Sequence, residues 1–209
     1  MLSTPTQTEK YVSYFGSLPE INELGDTIFS DSTENQVLFK KISTQRTVFG
    51  SNLLPKKIQF STEENPLEDR VYCNYYDDKG NPLEVQKAND ISTVYIWGYR
   101  KTQLIAKIEN ATYTEVYANS GLITSIQNMT DRRQTSEEDL IIELNILRDI
   151  LPKALITTYT YRLPFGLASI TDPNGTTVYY SYDNFGRLKE MIDHEYNVIK
   201  QYEYNYSEQ

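Results

Sequence analysis

The chain has 209 residues, with 18 Tyr but only one His (His194), one Cys (Cys73) and one Trp (Trp97); 29 acidic against 20 basic residues give a formal charge of −9. One Cys excludes a disulfide framework within the chain, one His excludes a histidine-cluster metal site, and no run reaches the ~18 apolar residues of a membrane span. The acidic surplus argues against nucleic acid as a partner, because a phosphate backbone attracts Lys and Arg.

The N-terminal MLSTPTQTEK lacks the basic and apolar regions of a signal peptide. That fits a cytosolic protein, or a piece of a longer protein with its export signal upstream. Residues 1–35, rich in Ser, Thr, Asn and Glu, are expected to be loop or frayed chain ahead of a short strand near Val37–Ile42. Gln45–Phe49 and Lys57–Phe60 are β-like. Val71–Asp77 reads as a strand and leads into Asp77-Asp78-Lys79-Gly80. Residues 81–87 return as a second strand. At 93–99, Thr93, Tyr95, Trp97 and Tyr99 fall at period two and share a face. A further strand is expected at 103–109.

The pattern then changes. Thr112-Tyr-Thr-Glu115 has capping-box spacing, and Tyr113, Val116, Tyr117, Ile123 and Ile126 have helical spacing broken by Gly121. Two short helical pieces are expected. Thr135-Ser-Glu-Glu138 is a second capping box, opening a helix at about 137–150. Leu140, Leu144, Leu147 and Leu151 form its apolar stripe, with Ile141, Ile142, Ile146 and Ile150 widening it, and Pro152 ends it.

Strands resume at 155–161, 176–182, 187–193 and 198–206. Val178, Tyr180 and Tyr182 line one strand face; Tyr202, Tyr204 and Tyr206 line another. The intervening Asp172-Pro-Asn-Gly175 and Asp183-Asn-Phe-Gly186 have the residue preferences of type I turns, and His194-Glu-Tyr-Asn197 is a weaker third turn. Gly80, Gly175 and Gly186 are expected at positive φ. A shift of 22 places Ile170 on Ile192, Tyr180 on Tyr202 and Tyr182 on Tyr204. Such a period marks an array in which each unit buries its face on the next.

The heptad Tyr182-Asp183-Asn184-Phe185-Gly186-Arg187-Leu188 resembles the signature of the YD repeat, the unit of the rearrangement-hotspot (RHS) proteins. Tyr76-Asp77-Asp78-Lys79-Gly80-Asn81 is similar to a looser copy, with Asn81-Pro82 where Arg-Leu would stand. Over about residues 50–209 the chain looks like the C-terminal part of a large bacterial RHS-repeat surface protein. The resemblance implies a mainly β fold: a curved antiparallel sheet of consecutive YD-repeat hairpins, a shell-like strip with a helical insert at about 112–150. The organisation expected is a partly irregular segment 1–50, YD-like hairpins 51–111, the insert 112–152 and C-terminal YD hairpins 153–209. It further implies a wall that encloses cargo or displays on a cell surface, non-catalytic and without cofactor. Its partners would be neighbouring repeats of a longer parent, with glycans or an enclosed cargo domain. The location would be the cell surface or outside, or the cytoplasm if this is a complete reading frame. Some relatives carry a self-cleaving core containing Asp-Pro-x-Gly. Asp172-Pro-Asn-Gly175 matches those letters but is followed by Thr-Thr-Val, so it is expected to be a turn.

Two other functions compete. The exposed aromatics Tyr95, Trp97, Tyr99, Tyr180, Tyr202 and Tyr204 could form a glycan platform, since rings stack on sugar faces. Cross-strand packing of the same rings is the plainer reading. A repeat-linked toxin, with 1–50 or 112–150 as the active part, is the weakest, because repeats run almost to Gln209. Asp77, Asp78, Asp183 and Asp193 read as turn residues rather than calcium ligands, since no twelve-residue calcium loop is present. Cys73 reads as a small buried apolar group and His194 as a turn residue. Four Asn-x-Ser/Thr sequons, at Asn110, Asn128, Asn174 and Asn205, carry little weight in a bacterial chain.

Overall fold

The computed structural model describes residues 8–13, 20–21, 27–28, 40–62, 65–132 and 134–204, with side chains described from residue 42 onward. The chain divides into two compact units, residues 1–90 and 91–209.

In the first unit, strands β1 (Thr8–Ser13), β4 (Lys40–Phe49), β5 (Asn52–Thr62), β6 (Glu68–Tyr76) and β7 (Pro82–Lys87) form an antiparallel ladder in the order β1-β4-β5-β6-β7. The two-residue strands β2 (Glu20–Ile21) and β3 (Thr27–Ile28) pair apart from it. β1 stands where loop or frayed chain is expected. The strand expected near 37–42 is described only from Lys40, and there it belongs to a ten-residue strand. β4 and β5 make one long hairpin closed by Phe49↔Asn52 around Gly50-Ser51, with Gly50 at φ +61. The sequence shows only the two ends of that hairpin, because Pro55 reads as a strand breaker. Pro55 is tolerated because it faces Arg46 at a bulge, where the ladder is interrupted.

In the second unit, β8 (Ser92–Gly98), β9 (Gln103–Glu109), β10 (Leu155–Arg162), β11 (Gly166–Thr171), β12 (Thr177–Tyr182), β13 (Leu188–Ile192) and β14 (Val198–Gln201) are antiparallel and adjacent in chain order. β11 is absent from the strands expected; its short alternation is hidden behind the turn-rich Leu163-Pro-Phe-Gly166. β14 ends at Gln201 rather than 206: the Tyr202 amide still donates to the Lys189 carbonyl, and Tyr204 then folds back toward Leu188. Tyr206 lies outside the described residues.

Between β9 and β10 stand α1 (Tyr113–Tyr117), α2 (Ser120–Asp131) and α3 (Glu137–Ile150). Thr112 and Glu115 form the expected capping box. α3 is capped one residue later than expected: the Ser136 hydroxyl accepts the Asp139 amide, while Thr135 donates its hydroxyl to the Met129 carbonyl. Leu140, Leu144 and Leu147 are buried with Val116, Ile123 and Ile126 against Val94, Ile96, Ile105, Ile108 and Ile156 of the sheet. Ile142, Ile146 and Ile150 do not widen this stripe. At 100° per residue Ile142 falls opposite the leucines, Ile146 about 130° and Ile150 about 90° round from them, and all three are exposed.

Within β10 the same sheet face changes from aliphatic to hydroxyl. Thr160 and Ser169 hydrogen-bond at 2.6 Å, Thr171 and Thr177 at 2.9 Å, and Thr160 donates to Glu137 at 3.0 Å. These hydroxyls are buried and paired, so their desolvation is offset.

Candidate functional site

Among the described residues one local structure occurs four times. In each copy an Asp opens a turn and its Oδ1 accepts two backbone amides, those of the residues two and four places on. These are Lys79 and Asn81 for Asp77, and Asn174 and Thr176 for Asp172. Asp183 takes Phe185 and Arg187, and Asp193 takes Glu195 and Asn197. Each Asp also exchanges backbone bonds with the fourth and third residues after it, as in Asp183 N–H to Arg187 O at 2.9 Å and Gly186 N–H to Asp183 O at 2.9 Å. The third residue is left-handed: Gly80 at φ +86, Gly175 at +86 and Gly186 at +75, as expected, but Tyr196 at +65 in the last copy. The carboxylate defines the turn and glycine only makes it cheap. Gly186→Ala is expected to cost about 1 kcal/mol or more, because a Cβ there also comes to 2.9 Å from the Phe165 ring. A thermal melt reads this, and an unchanged midpoint would contradict it.

The fourth residue supplies a second contact in three copies. Arg187 Nε donates to Asp183 Oδ2 at 2.7 Å, Asn81 Nδ2 to Asp77 Oδ2 at 2.9 Å, and Asn197 Nδ2 to Asp193 Oδ2 at 3.2 Å. Asn81 therefore does the work of the motif's arginine with a shorter side chain. The Arg187 guanidinium also lies over Tyr204, 4.2 Å from its centroid, and over Phe185 at 5.2 Å. The backbone amide and then the guanidinium of Arg187 hold the Asp183 carboxyl below the usual aspartate range; the amide and then the side chain of Asn197 do the same for Asp193. A group with a depressed folded-state pKa contributes stability that is present above the unfolded value, about 3.9, and is lost as pH falls through the folded one. The melting midpoint is therefore expected to fall on acidification below about pH 4. Asp183→Asn with Asp193→Asn should flatten that decline.

The tyrosine before the turn has a shared role in two of these copies, and Tyr161 and Tyr204 repeat it elsewhere. Tyr182 donates its hydroxyl to the Leu167 carbonyl at 2.8 Å and Tyr76 to Pro55 at 2.8 Å. Tyr161 donates to Leu104 at 3.0 Å and Tyr204 to Leu188 at 2.9 Å. In each case backbone pairing has already stopped: β11 and β12 pair only as far as Ser169↔Tyr179, and β13 and β14 bond no further than the Tyr202 amide on the Lys189 carbonyl. The ring spans the open end of the strand pair and its hydroxyl replaces the missing ladder bond. Burial pushes the hydroxyls of Tyr76, Tyr161 and Tyr182 upward, so they act as donors. Tyr161 stands 21 residues before Tyr182, one short of the 22-residue period, and Phe165-Gly166 after it echoes Phe185-Gly186.

The other aromatics divide. Tyr95 and Trp97 are half-buried on the sheet face turned away from the helices, as their alternation with buried Val94 and Ile96 requires. Tyr180 opposes Met191, and Tyr202 is half-buried beside Lys200, whose ammonium lies 4.8 Å from the ring centroid. Tyr99 is not on that face. It opens a left-handed turn, Tyr99-Arg100-Lys101, with φ of +50, +60 and +61, packs against the helical core, and accepts the Tyr161 amide on its hydroxyl at 2.9 Å. Thr130 and Asp131 at the end of α2 hold this turn by accepting the amides of Tyr99 and Arg100.

A cleft of about 1010 Å³ adjoins that turn, bounded by Arg132, Glu137 and Arg162. Its carboxylates are already engaged, Asp131 by the Arg100 amide and Glu137 by Thr160. Asp172, the aspartate of the Asp-Pro-x-Gly letters, is likewise occupied by two turn amides. Among the described residues no group of three or more His, Cys, Asp or Glu side chains is placed to hold a metal, and no helix is long and apolar enough to cross a membrane. Cys73 is buried and His194 is exposed in its turn.

Residues 164–195 match the family model described as RHS Repeat. The match takes in β11, β12 and β13 and the Asp172 and Asp183 turns. No curated protein matches the chain. The chain thus carries an RHS repeat, set in antiparallel hairpins.

Proposed function

We propose that this RHS-repeat chain is a non-catalytic scaffold segment, a stretch of hairpin wall that serves enclosure or surface display as part of a longer parent. One observation carries the reading: the residues that define the repeat are spent on holding strands together. Asp183 closes the turn, Arg187 braces Asp183, and the Tyr182 hydroxyl bridges the open strand ends. A catalytic or binding role would leave such groups free to meet a ligand. Neighbouring repeats are the natural partners, and the repeat class supports an extracellular or surface location.

A second reading is glycan binding by the half-buried rings of the face turned from the helices, Tyr95, Trp97 and Tyr180. The two readings part in one experiment. Tyr182→Phe deletes only the bridging hydroxyl and leaves the Leu167 carbonyl without it, so on the scaffold reading it lowers stability by about 1–2 kcal/mol. On the same reading, soluble neutral oligosaccharides leave the fluorescence of Trp97, the sole tryptophan, unchanged. A saturable Trp97 response to an oligosaccharide, with Tyr182→Phe as stable as the parent, would replace the scaffold reading with the glycan one.

A further inference from the structure

We infer that the outward face of α3 is a docking surface for an amphipathic, basic helix of another protein. α3 carries a second apolar row besides its buried one. Leu140, Leu144 and Leu147 face the core and are buried. Ile142, Ile146 and Ile150, spaced i, i+4 and i+8, wind from the side opposite them at Ile142 to the helix flank at Ile150 and are 63%, 36% and 36% exposed. An isolated exposed apolar residue is ordinary on a protein surface. Three aligned on the solvent side of one helix form a stripe of the kind that helix-in-groove recognition reads.

Charge identifies the occupant. The stripe is rimmed by exposed Glu138, Asp139 and Asp149. The one basic residue of α3, Arg148, does not join that rim. Its guanidinium is turned to the sheet, where it donates to the carbonyls of Ile156 and Thr171. The outward face is therefore apolar with acid on its borders and no neutralising cation of its own helix. A second copy would bring the same acid to the same border and be repelled, and an anionic membrane surface would be repelled likewise. A helix with its own apolar stripe flanked by Lys or Arg satisfies both features at once.

The test uses the full chain and a fluorescein-labelled synthetic peptide of about 18 residues, long enough to form a helix, with Leu at i, i+4, i+7 and i+11 and Lys elsewhere. Its scrambled isomer and a Leu/Glu version of the same pattern serve as comparisons. The patterned Leu/Lys peptide is expected to bind at least about tenfold tighter than either. Ile142→Ser/Ile146→Ser/Ile150→Ser, checked by circular dichroism to be folded, loses that margin, and the corresponding triple Leu variant keeps it. Asp139→Asn/Asp149→Asn weakens binding and flattens its salt dependence. Equal binding of patterned and scrambled peptides overturns the inference, since the overall −9 charge would then explain both. So does undiminished binding by the triple Ser variant. Sedimentation that shows self-association of the parent, abolished by the triple Ser variant, overturns it in favour of a second copy.

Discussion

Leu144→Ala is expected to destabilise the protein by about 2–5 kcal/mol, the range for truncating a buried leucine where the cavity closes incompletely. Leu144 is fully buried. It sits in the cluster where α3 meets Ile126 of α2 and the aliphatic part of the sheet, Ile96, Ile108 and Ile156. These neighbours come from separate elements, each tied by its own backbone bonds, so the gap cannot be filled by one side chain turning. Urea denaturation followed by circular dichroism gives the value. A loss below about 1 kcal/mol would mean that α3 adds little to this core.

Arg148→Met is expected to cost about 2–3 kcal/mol, comparable although it removes hardly any apolar area. Nε donates to Asn145 Oδ1 at 3.1 Å, Nη1 to the Ile156 carbonyl and Nη2 to the Thr171 carbonyl. Methionine keeps the stem packed and removes all three donors, leaving two strand carbonyls on β10 and β11 without them. Arginine stays protonated in proteins, although burial lowers its pKa from the ordinary value, so the loss should be the same at pH 6 and pH 9. A loss at one of these pH values alone would point to a titrating partner instead of the carbonyls. Leu144 and Arg148 are one turn apart on α3, so the double variant is expected to depart from additivity.

The sequence made some parts of this architecture readable and hid others for definite reasons. The Asp turns were legible because their chemistry is local: the acceptor and both amides lie within five residues of one another. α3 was legible because four leucines keep a helical period. Ile142, Ile146 and Ile150 are exposed where a wider stripe is expected, because hydrophobicity alone does not say which side of a helix has a partner. The strand β11 and the β4–β5 hairpin were obscured by prolines tolerated at a turn and at a bulge. The role of the repeat tyrosines was only half visible. Their period marks them as structural, but a hydroxyl that reaches a carbonyl on the preceding strand depends on where pairing stops, which no short-range pattern records. Tyr99 was placed on a strand face because alternation continues through Gly98 into it; three successive left-handed residues are not foreseeable from Tyr-Arg-Lys.

The tyrosine bridges also set an order of assembly. Each Asp turn closes over four residues, at little loss of chain entropy. The Tyr182–Leu167 and Tyr204–Leu188 bridges then close loops of 15 and 16 residues. Tyr161–Leu104 spans 57, because the three helices lie between β9 and β10. Contacts that close short loops form early. Residues 166–204 can therefore zip into hairpins unaided, while the β9–β10 seam waits for the helices to find the sheet. The insert that anchors the core is thus also the slow step of the second unit, and its folding decides when that unit becomes a single piece.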